Sequence, residues 1–342
     1  MATNTSPTKI SRFVRTLRQI ADSSGVVSPA EINKLARASQ QDIEDFRAEW
    51  PRINRERQRA IVNAMNEAAE SSVQSDFTDL FFTLLDDPDE FVRAGAVDGL
   101  WENELPKLAR RLLRMLTEDQ SPLVRASAAE GLGHFLLRAE EGRLVKPTAA
   151  ALTDALLGRF GDEQEDLDVR RHALESVAFF SDSRVSAAIR RGYDEDEAIM
   201  RASAVFAMGR TNDMGWSDVV LRELPSRDAG MRYEAAYAAG ELMLVDALPA
   251  LFDVVSMDSD TEVRQSAIWA LGQIGGNEAR RVLEAILDGG DEALREVAED
   301  ALSELDFGEG MTPFDLFEFD VEDAGNGNGE YHDESDDEEA EE

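Results

Sequence analysis

The 342-residue chain contains no cysteine. Disulfides, thiolate metal sites, a cysteine nucleophile and a thioether-linked chromophore on this chain are thereby excluded. Lysine is almost as scarce, with Lys9, Lys34, Lys107 and Lys146 the only four among 35 basic residues. Against these stand 71 acids and a formal net charge of -36, a balance that repels nucleic-acid phosphate and anionic lipid surfaces. Neither nucleic acid nor membrane is expected as a partner. An acid-rich, lysine-poor surface suits a salt-tolerant cytosol, and a GC-rich genome gives the same arginine bias. The opening MATNTSPTKISRFVRTL lacks the apolar core of a signal peptide, and no run approaches the roughly 18 apolar residues of a membrane span. A cytoplasmic location is expected. The three histidines, His134, His172 and His332, show no metal-ligand spacing, and no glycine-rich phosphate motif occurs. No metal, cofactor or catalytic residue is therefore expected.

Order comes instead from repetition. An apolar residue followed by arginine recurs at Arg93, Arg125, Arg170, Arg201, Arg232, Arg264 and Arg295, with spacings of 32, 45, 31, 31, 32 and 31 residues. That period marks stacked supersecondary units, each completing the apolar face of its neighbour. The 45-residue gap is one period plus an insertion, expected within 138–146. Three residues after each arginine stands alanine: Ala96, Ala128, Ala173, Ala204, Ala235, Ala267 and Ala298. With apolar residues four positions to either side, each phrase is an amphipathic helix with one buried stripe. The position six after the arginine is small as well, Gly99, Gly131, Ser176, Ala207, Ala238, Ala270 and Ala301, which suits close stacking of units. Asp89, Ser121, Asp166, Asp228, Asp260 and Asp291 read as N-caps, Glu197 as a poorer one, and Gly133, Gly209, Gly240 and Gly272 as helix ends. A second helical stretch precedes each phrase, so each unit is a helical hairpin.

The pattern D-x-x-V-R-x-x-A-x-x-A-L-G, read at Asp260 to Gly272, resembles HEAT-like repeats of the phycobilisome-lyase type. The resemblance implies an all-α, right-handed α-α superhelix: a HEAT-like solenoid of about seven regular hairpins over 77–305, behind degenerate N-terminal cap repeats over 1–76. It also implies a structural ladder in which Asp228, Asp260 and Asp291 bond to Arg232, Arg264 and Arg295 between units. Helical-repeat deoxyhypusine hydroxylases resemble this architecture but carry paired His-Glu iron ligands that this chain lacks. Helical-repeat DNA glycosylases hold DNA in a basic groove, opposite in sign to this surface. A bilin lyase need not carry the chromophore-accepting cysteine, so a bilin-lyase-like enzyme or enzyme subunit is the enzymatic alternative.

At the N-terminal end, 9–21, 28–37 and 54–69 read as helices, and Ser28 to Glu31 matches a capping box. From 306 to 342 the chain carries sixteen acids and no lysine or arginine, a composition too polar to fold. An island at 312–323, with Phe314, Leu316, Phe317 and Phe319, reads either as a docking motif or as a cap on the last repeat.

Five residues after each arginine, nearly opposite the buried stripe, stand Asp98, Glu130, Glu175, Phe206, Tyr237, Trp269 and Asp300. Three consecutive units change there from acid to aromatic. If the second helices line the concave face, as the resemblance implies, Phe206, Tyr237 and Trp269 form a ladder widened by Tyr233. Either the rings bury against one another or they line a groove for a partner peptide or for the chain's own tail. The expected function is a protein-protein interaction scaffold or adaptor, its partner offering basic and apolar anchors. A regulatory or assembly subunit is the second alternative.

Overall fold

The computed structural model describes residues 11–310 apart from Ser24, Val73 and Gly290, and among them there is no strand. The Phe-rich island with Phe314, Leu316, Phe317 and Phe319, and His332, lie outside the described residues. No described helix is long and apolar enough to cross a membrane.

Four helices open the chain: α1 (Arg12–Asp22), the short α2 (Pro29–Ile32), α3 (Gln40–Glu49) and α4 (Arg55–Ser71). Seven hairpins follow. They pair α5 (Thr78–Leu84) with α6 (Glu90–Asp98), α7 (Pro106–Glu118) with α8 (Pro122–Glu140), and α9 (Lys146–Gly161) with α10 (Leu167–Val177). Next come α11 (Val185–Tyr193) with α12 (Ala198–Arg210), α13 (Ser217–Glu223) with α14 (Ala229–Glu241), and α15 (Leu248–Met257) with α16 (Thr261–Ile274). The last pairs α17 (Gly276–Leu287) with α18 (Glu292–Gly310), which runs beyond the expected boundary at Leu305. The chain is an α-α superhelix.

The alanines three residues after each arginine are all fully buried, and so are the apolar residues just before the arginines. Second helices pack directly on one another through the array, whereas first helices touch one another far less. The tightly packed row is the inner side of a curved rod, and the splayed row the outer. What permits this contact is small side chains. Of the glycines read as helix ends, Gly209, Gly240 and Gly272 lie within two residues of the ends of α12, α14 and α16 and Gly133 lies inside α8, and each faces the small residue of the next unit. A Cβ on Gly209 would sit 2.8 Å from the Ala238 Cα, and one on Gly272 3.0 Å from the Ala301 Cα. Gly133 meets Ser176 and Gly240 meets Ala270 in the same way. Close approach is a role that all four share.

The structure bears on three further expectations. The insertion expected within 138–146 falls at the junction of α8, which runs to Glu140, and α9, which begins at Lys146, so the extra residues lengthen two helices. The capping box sits at Ser39 and Asp42, where both reciprocal bonds form; the Ser28 side chain makes no cap bond, the Glu31 amide donates to the Ser28 carbonyl, and the Glu31 carboxylate accepts from Gln19. The third concerns the ladder. Asp260 caps α16, its Oδ1 accepting from the amides of Glu262 and Val263. Arg232 reaches Asp258, two residues earlier, with Nε–Oδ2 2.6 Å and Nη2–Oδ1 2.8 Å. Arg93 with Asp119 and Arg170 with Glu195 use the same offset from their caps. Of the expected pairs, Arg264 meets Asp291 at 3.4 Å, while Arg295 donates to the carbonyls of Leu287 and Gly289. Asp228 caps α14 through the Met231 amide. Hydrogen bonds from Arg232 hold the Asp258 carboxyl below its ordinary value.

The N-terminal helices continue both rows, α3 against α5 and α4 against α6. Arg59 pairs with Asp89 at 2.7 Å as the later arginines pair with their own carboxylates. Val62 stands where those units carry alanine, and its bulk fits because Gly95 faces it.

Replacing Gly209 or Gly272 by Ala should lower unfolding free energy by about 1–3 kcal/mol through overpacking, although alanine is the better helix former by about 1 kcal/mol. Gly158, inside α9 with nothing within 4 Å of a built Cβ, should instead gain up to about 1 kcal/mol as Gly158→Ala. Denaturant unfolding of the three variants checks the contrast.

Candidate functional site

On the inner row, positions two before and two, five and nine after each arginine share a helix face. Along that face the residue type changes in blocks. Its N-terminal third carries Asp98, Glu130 and His134, and its middle His172 and Glu175. Phe206, Arg210, Glu234, Tyr237, Glu241 and Trp269 then follow on α12, α14 and α16.

The structure brings Phe206, Tyr237 and Trp269 together as one stack. Phe206 and Tyr237 lie 5.9 Å apart at 12° between ring planes, and Tyr237 and Trp269 4.4 Å apart at 13°. The 31- and 32-residue spacings place them side by side because the second helices approach so closely. All three are half-buried, and the faces between them are consumed by the stack. Tyr233, one turn before Tyr237, remains 37% exposed, and Ile199 is exposed on α12.

Sequence reasoning missed the residue that locks this stack. The Arg210 guanidinium carbon lies 5.1 to 5.2 Å from the ring centroids of Phe179, Phe206 and Tyr237. Its Nη2 donates to the Tyr237 hydroxyl at 2.5 Å and its Nη1 pairs with Glu241 at 3.0 Å. Burial pushes the Tyr237 phenol up to about 12. The missed signal was the column nine residues after the signature arginine, where Arg210 is followed by Glu241 one unit later.

Beside the stack lies a buried acid pair. Glu175 accepts from Ser203 and Arg171, with His172 Nδ1 at 3.3 Å. Burial works against its charge, yet the bonds from His172 and Ser203 more than offset it and hold the carboxyl below the usual range. Glu234 has no such support, since its Oε2 is buried without a hydrogen-bond partner. Burial and the nearby Glu175 charge push it up to about 7, against smaller opposing effects of Arg171 and Arg210. Farther along, Asp98 touches solvent but sits within the curved inner face, where burial and then Glu130 raise it to about 6. Among the described residues no group of three or more His, Asp or Glu side chains is placed to hold a metal ion.

The family model for HEAT repeats matches residues 54–133, 78–158 and 217–303, more than half of the chain. The match is to HEAT repeats in general and does not single out the phycobilisome-lyase type. No curated protein matches the chain. Among solved structures it is similar to YibA of Escherichia coli, 16% identical over 88% of this chain and 99% of that one, TM-score 0.42. Human deoxyhypusine hydroxylase is 18% identical over 86% and 97%, TM-score 0.35. Importin beta is 16% identical over 86% of this chain and 46% of its own, TM-score 0.45.

The raised Glu234 value fixes a pH dependence. The folded state keeps this proton up to about pH 7 while the unfolded chain releases it near 4.5, so its contribution to stability falls across that interval and the penalty is full above it. Glu234→Gln should therefore stabilise the protein by about 1–3 kcal/mol at about pH 8 and leave it unchanged below the unfolded value. Denaturant melts at the two pH values read this directly.

Proposed function

The chain belongs to the HEAT-repeat family, and from that premise we propose that it is a protein-interaction scaffold or adaptor that holds a partner along its inner face. The observation that carries this reading is the block change along one column, from carboxylates at Asp98, Glu130 and Glu175 to the aromatic stack of Phe206, Tyr237 and Trp269. A helical-repeat array needs only its interior stripe to fold, and these residues lie outside that stripe. The stack is a rigid apolar strip that costs a partner little ordering entropy to meet, and the exposed Tyr233 and Ile199 widen it. Carboxylates beside it favour a partner segment with an apolar anchor next to a lysine or arginine. In this reading the protein performs no chemistry of its own.

Because the ring faces are already paired, the partner meets ring edges, Tyr233 and the neighbouring acids rather than sliding between rings. A photo-crosslinking residue at position 233 should therefore capture a defined protein in the native cell, and the same residue at the exposed position 281 on α17 should not. Capture should fall at least about tenfold in the Tyr237→Ala, Trp269→Ala double variant, as loss of two aromatic hot spots of about 1–2 kcal/mol each would give. Equal capture from both positions, or capture unaffected by the double variant in a folded protein, would remove the inner face as the binding surface.

A further inference from the structure

One surface of the N-terminal units takes no part in the aromatic stack. Trp101 lies in the turn after α6, its amide donating to the Asp98 carbonyl at 3.1 Å, and its side chain is 52% exposed. The other three tryptophans are enclosed to a greater degree: Trp50 and Trp216 are buried and Trp269 is in the stack. The Trp101 ring stands 5.9 Å from His134, tilted by 58°, so the two rings hold each other upright while one indole face stays open. A cleft of about 490 Å³ runs beneath it between the end of α6 and α8, with Leu100 and Phe135 in its floor and Glu70, Asp98 and Glu130 on its walls. A second cleft of about 420 Å³ opens on the far side of the same two rings, beside Glu102, Glu104 and Glu141.

Charge selects what such a place holds. The basic group in these two clefts is Arg138, and it is already paired with Glu104 and Glu141. Burial lowers the His134 pKa, so that ring is neutral at pH 7 and supplies no counter-charge. An exposed indole beside carboxylates that outnumber the one arginine attracts a cation with a flat apolar surface, and guanidinium meets that description better than ammonium. It is planar and weakly hydrated, stacks on indole, and presents a fork that fits a carboxylate.

We propose that the Trp101–His134 cleft is a receptor for an arginine side chain carried on an extended segment of a partner protein, with the guanidinium against the Trp101 indole and its donors on Glu130 and Asp98. The site is separate from the aromatic stack on α12, α14 and α16. It gives the array a second point of contact, and its test does not depend on whether that stack binds anything.

The test is calorimetric titration of the full chain with an acetylated, amidated tetra-arginine peptide, and with the tetra-lysine peptide, at one fixed ionic strength. Trp101→Ala keeps the net charge, so it separates this site from general attraction of a basic peptide to an acidic protein. The wild type should bind tetra-arginine on the order of tenfold more tightly than Trp101→Ala, Trp101→Phe should fall between, and tetra-lysine should lose less on the same substitution. Glu130→Gln should also weaken tetra-arginine binding. Thermal melts establish that the variants are folded, and if Trp101→Ala is not, Trp101→Phe with Glu130→Gln carries the comparison. Equal affinity of wild type and the Trp101 variants, or no binding by the wild type, overturns the proposal; loss of partner capture at position 233 leaves it standing.

Discussion

The close approach of consecutive second helices is the constraint on which the molecule depends. Alanine three residues after each arginine, a small residue six after it, and glycine eight after it in four of the units remove the side chains that would hold the helices apart. Packing at interior density then draws the inner row together while the outer row, with larger side chains, stays spread. Curvature is the geometric result. The same approach brings the inner-face residues of successive units within ring-stacking distance, so the architecture and the candidate site have one cause.

An acidic chain of this charge must still hold its units together without self-repulsion. It does so with arginines that cross from one unit to the loop of the next, where bidentate pairs such as Arg232 with Asp258 and Arg93 with Asp119 sit partly out of water. At one loop Asp260 caps the helix and Asp258, two residues earlier, takes the arginine, whereas Asp89 both caps α6 and takes Arg59. Guanidinium suits this place better than ammonium because it can also bond loop carbonyls, as Arg232 does at Ser226 and Arg125 at Asp119.

The inner face, by contrast, is not arranged for stability alone. Glu234 beside Glu175 and Asp98 beside Glu130 keep carboxylates where burial disfavours their charge, and a fold optimised only for its own cohesion would not retain them. Positions that cost the free protein something while offering negative charge beside aromatic rings are consistent with a surface shaped for a partner. Arg210 sets the balance locally, stacked between rings and bonded to Tyr237 and Glu241, so that the aromatic strip is firm without being sealed.

The sequence by itself determined the repeat, its period, the buried stripe, the N-caps and the face on which the aromatic residues would lie, because each is a local or periodic property of helical geometry. Degenerate repeats over 1–76 and a helix at 54–69 were legible, but α3 and the register of Arg59 were not, since Val62 replaces the diagnostic alanine and only its packing against Gly95 shows why this is tolerated. The second role of the glycines near the helix ends went unread for a related reason: glycine's meaning depends on whether another backbone approaches it, which no single helix records. Likewise only the assembled loops decided that Arg232 would meet Asp258 and not Asp260, because whether a cap carboxylate also takes an arginine, as Asp89 does with Arg59, depends on how the two units are seated. The pairing of Trp101 with His134 and of Arg210 with Phe179 and Tyr237 came from the tertiary structure alone. These groups are a full repeat apart in the chain and meet only because stacking turns a distance of some thirty residues into a single helix-to-helix contact.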